Sequence, residues 1–421
     1  MTQTESFIST RDTAILRELA MRVAEIAADP IMEERKRVWK ALNGLHAERP
    51  VILTETHGAL DEVIPLSTLT CEGEWARGQE RGLRNLIFYY EQVGDDYIID
   101  ARISYGHVVH ASSYGVEEVK HQGNDGAGHG SYNWEPPLKN LPDDLAKLSP
   151  RTYRYDAEAT LQAKEQLEEV FGGILEVTNR SWYWWTQGLT WEAIRLIGLE
   201  NLMLAMYDQP EGLHALMAFL RDDHLQRLDW FEQAGLLTLN NADDFVGSGG
   251  IGCTDCLPQP DYVPGTPARI KDLWGLSESQ ETVGVSPELF AEFIFPYQLP
   301  IIARFGLACY GCCEPVDSRW HIVKQIPNLR RVSVSPWSNP VKMAEYLGKD
   351  YVYSRKPNPS LISTDQWDEE IIRAELRETL TATRGMNVEL IMKDVHTLAN
   401  QPQRLGQWVK IAREMIEEVW A

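Results

Sequence analysis

From residue 50 onward short apolar runs alternate with amphipathic stretches, eight such runs occur, and polar, reactive residues follow each one; together these predict an α/β chain of the (β/α)8 TIM-barrel class. The runs are Val51 to Thr54, Tyr97 to Ala101, Gly173 to Thr178, Leu236 to Asn240, Phe305 to Tyr310, Leu329 to Val334, Tyr351 to Tyr353 and Val388 to Met392. In a barrel of this class the carboxyl ends of all strands open on one face and build one site. Here those ends read Thr-Glu-Thr-His (54–57), Asp-Ala-Arg (100–102), Asn-Arg-Ser-Trp (179–182), Asn-Ala-Asp-Asp (241–244), Cys-Cys-Glu (312–314), Ser-Pro-Trp (335–337), Ser-Arg-Lys (354–356) and Lys-Asp-Val-His (393–396).

Before the first run, Ile15, Leu16, Leu19, Ala20, Val23 and Ile26 make a helical apolar stripe that stops near Pro30, and a second helix is expected from about Met32 to Asn43. Residues 1–48 are therefore expected as a helical extension and 49–421 as the catalytic barrel. Between the strands, apolar positions three or four apart predict helices over 158–170, 191–207, 210–234, 287–305, 317–325, 341–347, 369–383 and 405–418. Pro210 and Pro287 stand at helix starts, where a missing N–H costs nothing. Two long stretches with little pattern, Ser104 to Lys147 with its glycine-rich run at 123–130, and Gly247 to Ser286, are expected to wall the site.

Among 421 residues, 43% are apolar, enough for a large core, while 62 acidic against 40 basic residues give a formal net charge of −22. That balance argues against a nucleic acid or an anionic membrane as partner, since both need a basic face. The amino terminus has no basic-then-apolar leader and no run approaches the ~18 apolar residues of a membrane span, so a cytoplasmic enzyme, monomeric or a homodimer, is expected. Six cysteines in so long a chain are too sparse for a disulfide scaffold.

Candidate site residues follow from the strand ends. Cys312 and Cys313 at a loop mouth, with Asp394 and His396 after the last strand, are the candidate metal ligands, because thiolate, imidazole and carboxylate together suit zinc and leave a position for substrate. Cys309, inside its strand, reads as core. Asp243 and Asp244, as paired carboxylates that raise one another's pKa, and Glu314 beside the thiols are the candidate catalytic groups. His57, Arg102, Asn179, Asn241 and Arg355 are candidates to hold polar groups of a small-molecule substrate, with Arg180 a further basic residue on these loops. In Ser-Trp-Tyr-Trp-Trp (181–185), at least Trp182 is expected to bind a flat ligand. Cys253 and Cys256 have the spacing of half a zinc site or of a redox dithiol, with no second pair to complete it.

Leu-Ile-Gly-Leu-Glu-Asn-Leu-Met with Tyr-Asp-Gln-Pro-Glu (196–211), Asn-Asn-Ala-Asp-Asp (240–244), the segment from Val285 to Tyr297 and Tyr-Gly-Cys (310–312) resemble the uroporphyrinogen decarboxylase superfamily over about residues 50–418. That superfamily also contains zinc-dependent methyltransferases that work with corrinoid proteins. The decarboxylases' arginine-rich amino-terminal motif is replaced here by Pro-Val-Ile-Leu-Thr-Glu-Thr-His-Gly (50–58), so porphyrinogen decarboxylation is not expected. The methyltransferase branch carries His-x-Cys after the strand matched by 305–310 and a further Cys after the last strand. Tyr310 stands at the His position, Cys312 keeps the thiol, and Asp394 or His396 stands near the last Cys. The resemblance implies transfer of a methyl group, with zinc as Lewis acid, between a small substrate and a corrinoid. No Asp-x-His-x-x-Gly motif occurs, so the corrinoid is expected on a separate protein. The aromatic run favours a methoxylated aromatic substrate. The alternatives are a metal-free lyase acting on a carboxylate, with Asp243 or Asp244 managing the proton, and a protein that binds a corrinoid without chemistry.

Overall fold

A computed structural model describes residues 7–122 and 132–420, and the glycine-rich run at 123–130 lies outside them. Among the described residues eight strands run parallel within their sheets: β1 (Val51–Thr54), β2 (Arg102–Tyr105), β3 (Glu176–Asn179), β4 (Trp274–Ser277), β5 (Leu307–Tyr310), β6 (Leu329–Val334), β7 (Val352–Arg355) and β8 (Asn387–Met392). Six of them form one sheet in the order β1-β8-β7-β6-β5-β4, and β2 pairs with β3 alone. The fold is mixed α/β, but the expected closed barrel is not formed, because the ladder stops at β1 and β4.

Side chains explain both stops. On the outer edge of β1 the amides of Ile52 and Thr54 donate to the carboxylates of Asp96 and Asp95, each at 2.8 Å, so carboxylates stand where a neighbouring strand would. On the outer edge of β4 the Asn240 amide side chain accepts from Trp274 N at 2.9 Å and donates to Trp274 O at 3.1 Å, imitating a ladder pair. Buried edge groups are thus satisfied without a strand. Accordingly Tyr97–Ala101 and Leu236–Asn240, expected as strands, carry no ladder. The stretch 247–286, expected as loop, contains β4, whose four residues are all buried. Ser104–Lys147 is also more regular than expected. It holds Val108–Ala111, paired antiparallel with Tyr153–Asp156, and Val119–Gln122, paired with Tyr132–Glu135.

Helices α1 (Thr10–Ala27) and α2 (Ile31–Asn43) precede β1, and α3 (Glu74–Phe88) follows it. Ser9 caps α1, accepting from Asp12 N at 3.0 Å. Val38, Trp39 and Leu42 of α2 pack on Val51, Leu53, Val352 and Ile391, the inward residues of three adjacent strands. Alternation along those strands places 51, 53 and 55, 352, 354 and 356, and 389, 391 and 393 on the inner face. The predicted helix 191–207 is two helices, Thr190–Ile197 and Leu199–Asp208, broken where Gly198 takes φ +88°. The predicted 287–305 is likewise two, Pro287–Phe293 and Phe295–Ile302, and 317–325 is helical only at Trp320–Val323.

Candidate active site

A hairpin, Phe245–Val246 against Gly250–Ile251, enters the space inside the sheet. Its glycines are there for room. At Gly247 (φ +66°) an added Cβ would lie 2.8 Å from Cys309 Sγ, and at Gly249 (φ +99°) 2.3 Å from Glu55 Oε1. The hairpin's tip delivers Ser248, wholly enclosed, to the residues after β5 and β8. The Ser248 hydroxyl accepts from Lys393 Nζ at 2.9 Å and donates to Cys312 Sγ at 3.3 Å, while Lys393 Nζ lies 3.8 Å from that sulfur. Cys313 Sγ is 3.5 Å from Cys312 Sγ and 3.7 Å from an oxygen of Asp394, which is itself 3.7 Å from Lys393 Nζ.

These contacts set the charges. Hydrogen bonding from Cys313 lowers the Cys312 thiol to about 6 against the cost of burial, helped by the Lys393 ammonium and the Ser248 hydroxyl, so the thiolate resides on Cys312 and Cys313 stays protonated. Burial works against the Lys393 charge, but the Cys312 thiolate and the carboxylates of Glu55 and Asp394 outweigh it and raise its pKa. Burial also raises Glu55. Glu314 is buried and accepts from the backbone of Ser279 and of Cys312, each at 2.8 Å, so it fixes the loop that carries the thiolate; burial lifts it to about 7. Glu278, also buried, is raised further by Glu281 and Glu314, and its Oε1 has no hydrogen-bond partner among the described residues.

Beside this cluster opens a cavity of about 770 Å³, a size that holds a small organic molecule. Its walls are aromatic. Tyr97 stacks on Phe245 with centroids 5.6 Å apart and lies tilted against Tyr89 at 4.9 Å, and Trp182, Tyr183, Trp184, Trp185 and Trp274 also line the cavity. Glu55, His57 and Lys393 line it as well, as do Arg180, Asp243 and Asp244. The last three belong to an ion-pair cluster in which Arg102 bonds Asp243 and Arg180 holds both aspartates, at 3.0 Å to Asp243. Each carboxylate therefore has a guanidinium, and neither arginine is left as a bare cation.

Of the residues singled out from the sequence, His57, Trp182, Asp243 and Asp244 line the cavity, and Cys312, Cys313, Glu314 and Asp394 gather behind Lys393. The others lie elsewhere. Asn179 bonds His107 at 2.7 Å, Asn241 donates to Leu257 O at 2.6 Å and lines a separate cavity against α2, and His396 is exposed with its ring against Gly58. Arg355 is buried but points outward, to Ser335 O at 2.8 Å and Glu375 at 3.1 Å. Cys309 is core, as its position inside the strand implied, and Cys253 is buried against Lys36 O while Cys256 is exposed. Lys393, Ser248 and Glu55 were not singled out from the sequence.

The donor types of Cys312, Cys313 and Asp394 suit zinc, but their arrangement does not. Among the described residues no three His, Cys, Asp or Glu side chains are grouped to hold a metal ion, and the position facing Cys312 and Asp394 is taken by the Lys393 ammonium. No helix among the described residues is long and apolar enough to cross a membrane. No family model matches this chain, and no curated protein does. A solved structure similar to it is a methyltransferase from Methanosarcina mazei, with a TM-score of 0.48 and 14% identity, covering 91% of this chain and 98% of that one.

Proposed function

We propose that this chain is a methyltransferase that takes the methyl group of a small methoxylated aromatic compound, within an interrupted (β/α)8 barrel, and passes it to a corrinoid carried by a separate protein. The observation that carries this reading is the cavity itself, lined by several aromatic rings together with the Lys393 ammonium and the Glu55 carboxyl group. Stacked rings bind a flat apolar body, and polar groups confined to one end orient it. Substrates with several carboxylates fit poorly, because Arg102 and Arg180 are already neutralised by Asp243 and Asp244. The same pairing counts against the lyase alternative, in which one of those aspartates handles a proton.

In this reading the wall rings position the ether so that its methyl carbon faces the open mouth and its oxygen faces Lys393 and Glu55. A docked corrinoid supplies a strongly nucleophilic acceptor. Trp182, 72% exposed, Phe245 at the mouth and Trp337, 74% exposed after β6, offer apolar surface to such a partner. The test has two parts. Guaiacol and vanillate should quench the fluorescence of the wall tryptophans saturably, with affinity about tenfold weaker in Phe245→Ala. Free reduced cobalamin should then gain a methyl group only when enzyme and ether are both present, followed by its visible absorbance. Saturable binding of aliphatic carboxylates with no response to any aromatic ether would sink the reading.

A further inference from the structure

Methyl transfer from an ether leaves negative charge on the departing oxygen, and something must meet it. Lys393 lines the cavity and also touches the Cys312 cluster. Its ammonium is fixed from three directions. Ser248 holds it at 2.9 Å, and the longer approaches to Cys312 and Asp394, 3.8 and 3.7 Å, leave donor capacity that can close on an incoming anion. The backbone aims it there, because inward alternation through Glu389 and Ile391 carries on to residue 393. The hairpin that brings Ser248 in could not pass Glu55 or Cys309 with side chains in place of Gly249 and Gly247.

We propose that Lys393 is the electrophile of this site, a tethered cation that occupies the place of a Lewis-acid metal and stabilises the aryloxide leaving group. This rests on the aromatic-ether reading above. In the step, the O–CH3 bond breaks with its electron pair retained by the aryl oxygen, the methyl carbon forms its new bond to the lone pair of the corrinoid acceptor, and the Lys393 N–H donates to the aryloxide. No proton need leave the lysine for charge to balance. Cys312 and Ser248 act as positioning residues that hold the ammonium, and the thiolate takes no part in bond making.

The probe is 4-nitrophenol, whose bound ionisation state shows in its visible absorbance, together with metal analysis of the purified full-length chain. The native protein is expected to hold no stoichiometric zinc and to bind the probe as its yellow phenolate in mildly acidic buffer. Lys393→Gln should bind it as the neutral phenol, about tenfold or more weaker, and Lys393→Arg should restore the phenolate. If Lys393→Gln fails to fold, Ser248→Ala, which removes only the hydroxyl on which the ammonium rests, should show part of the same loss. Phenolate binding that persists in Lys393→Gln would overturn the proposal. So would one zinc per chain that disappears, with the phenolate signal, in Cys312→Ser; both outcomes leave the aromatic site standing. A native protein that binds no nitrophenol in either form would remove the aromatic-ether reading and this proposal with it.

Discussion

Glu278 shows what burial does to a single carboxyl group when no cation comes with it. Enclosed after β4 with like-charged neighbours, it keeps its proton well above the ordinary carboxylate range, and Glu314 does so to about 7. A group that binds its proton more tightly folded than unfolded stabilises the fold fully below its unfolded value of 4.5, and that contribution disappears as pH climbs through the folded value. For Glu314 the window runs from 4.5 to about 7 and is worth ~3 kcal/mol. Glu278→Gln keeps the neutral shape and removes the ionisation. Thermal unfolding should therefore find the variant gaining on the native chain as pH rises above the unfolded value of 4.5, whereas a constant difference would mean that Glu278 stays charged. Residue parity also explains which site residues were legible. The alternation that turns Val352 inward turns Arg355 outward, and the one that turns Val51 and Leu53 inward delivers Glu55, so strict counting could have excluded the first and found the second. Ser248 was hidden, since nothing in a glycine-rich loop says that it will thread a sheet.

Among the elements, the strands with long apolar runs and clear boundaries were the ones read correctly: β1, β6 and β8 lie where the sequence put them. Leu236–Asn240 has the same composition and is not a strand, because its last side chain does the pairing. Asn240→Ala should leave both the N–H and the C=O of Trp274 unpartnered, a loss of ~2–4 kcal/mol in denaturant unfolding. Asn240→Asp, which keeps the acceptor but not the donor, should fall between. A cost below about 0.5 kcal/mol for the alanine variant would show that water satisfies this edge instead.

For the whole molecule, the expected boundary at residue 48 separates little. Trp39 is fully buried and donates to Asp96 O at 2.8 Å, and Asn43 donates to Ile251 O and Cys253 O at 3.0 and 2.8 Å. Removing residues 1–48 should accordingly yield a chain without cooperative unfolding by circular dichroism, and Trp39→Ala alone should cost ~3–5 kcal/mol. A truncated chain that melts as sharply as the full one would restore the extension as a separate unit. The seam between the six-stranded sheet and the rest has a different kind of consequence. Backbone ladders are indifferent to most codons, since nearly every residue brings the same N–H and C=O. Here the two open edges are capped by the side chains of Asp95, Asp96 and Asn240, so one nucleotide change can loosen the wall of the cavity while leaving every strand intact. That makes the seam the place where a lineage of such proteins can most readily trade rigidity for a wider entrance.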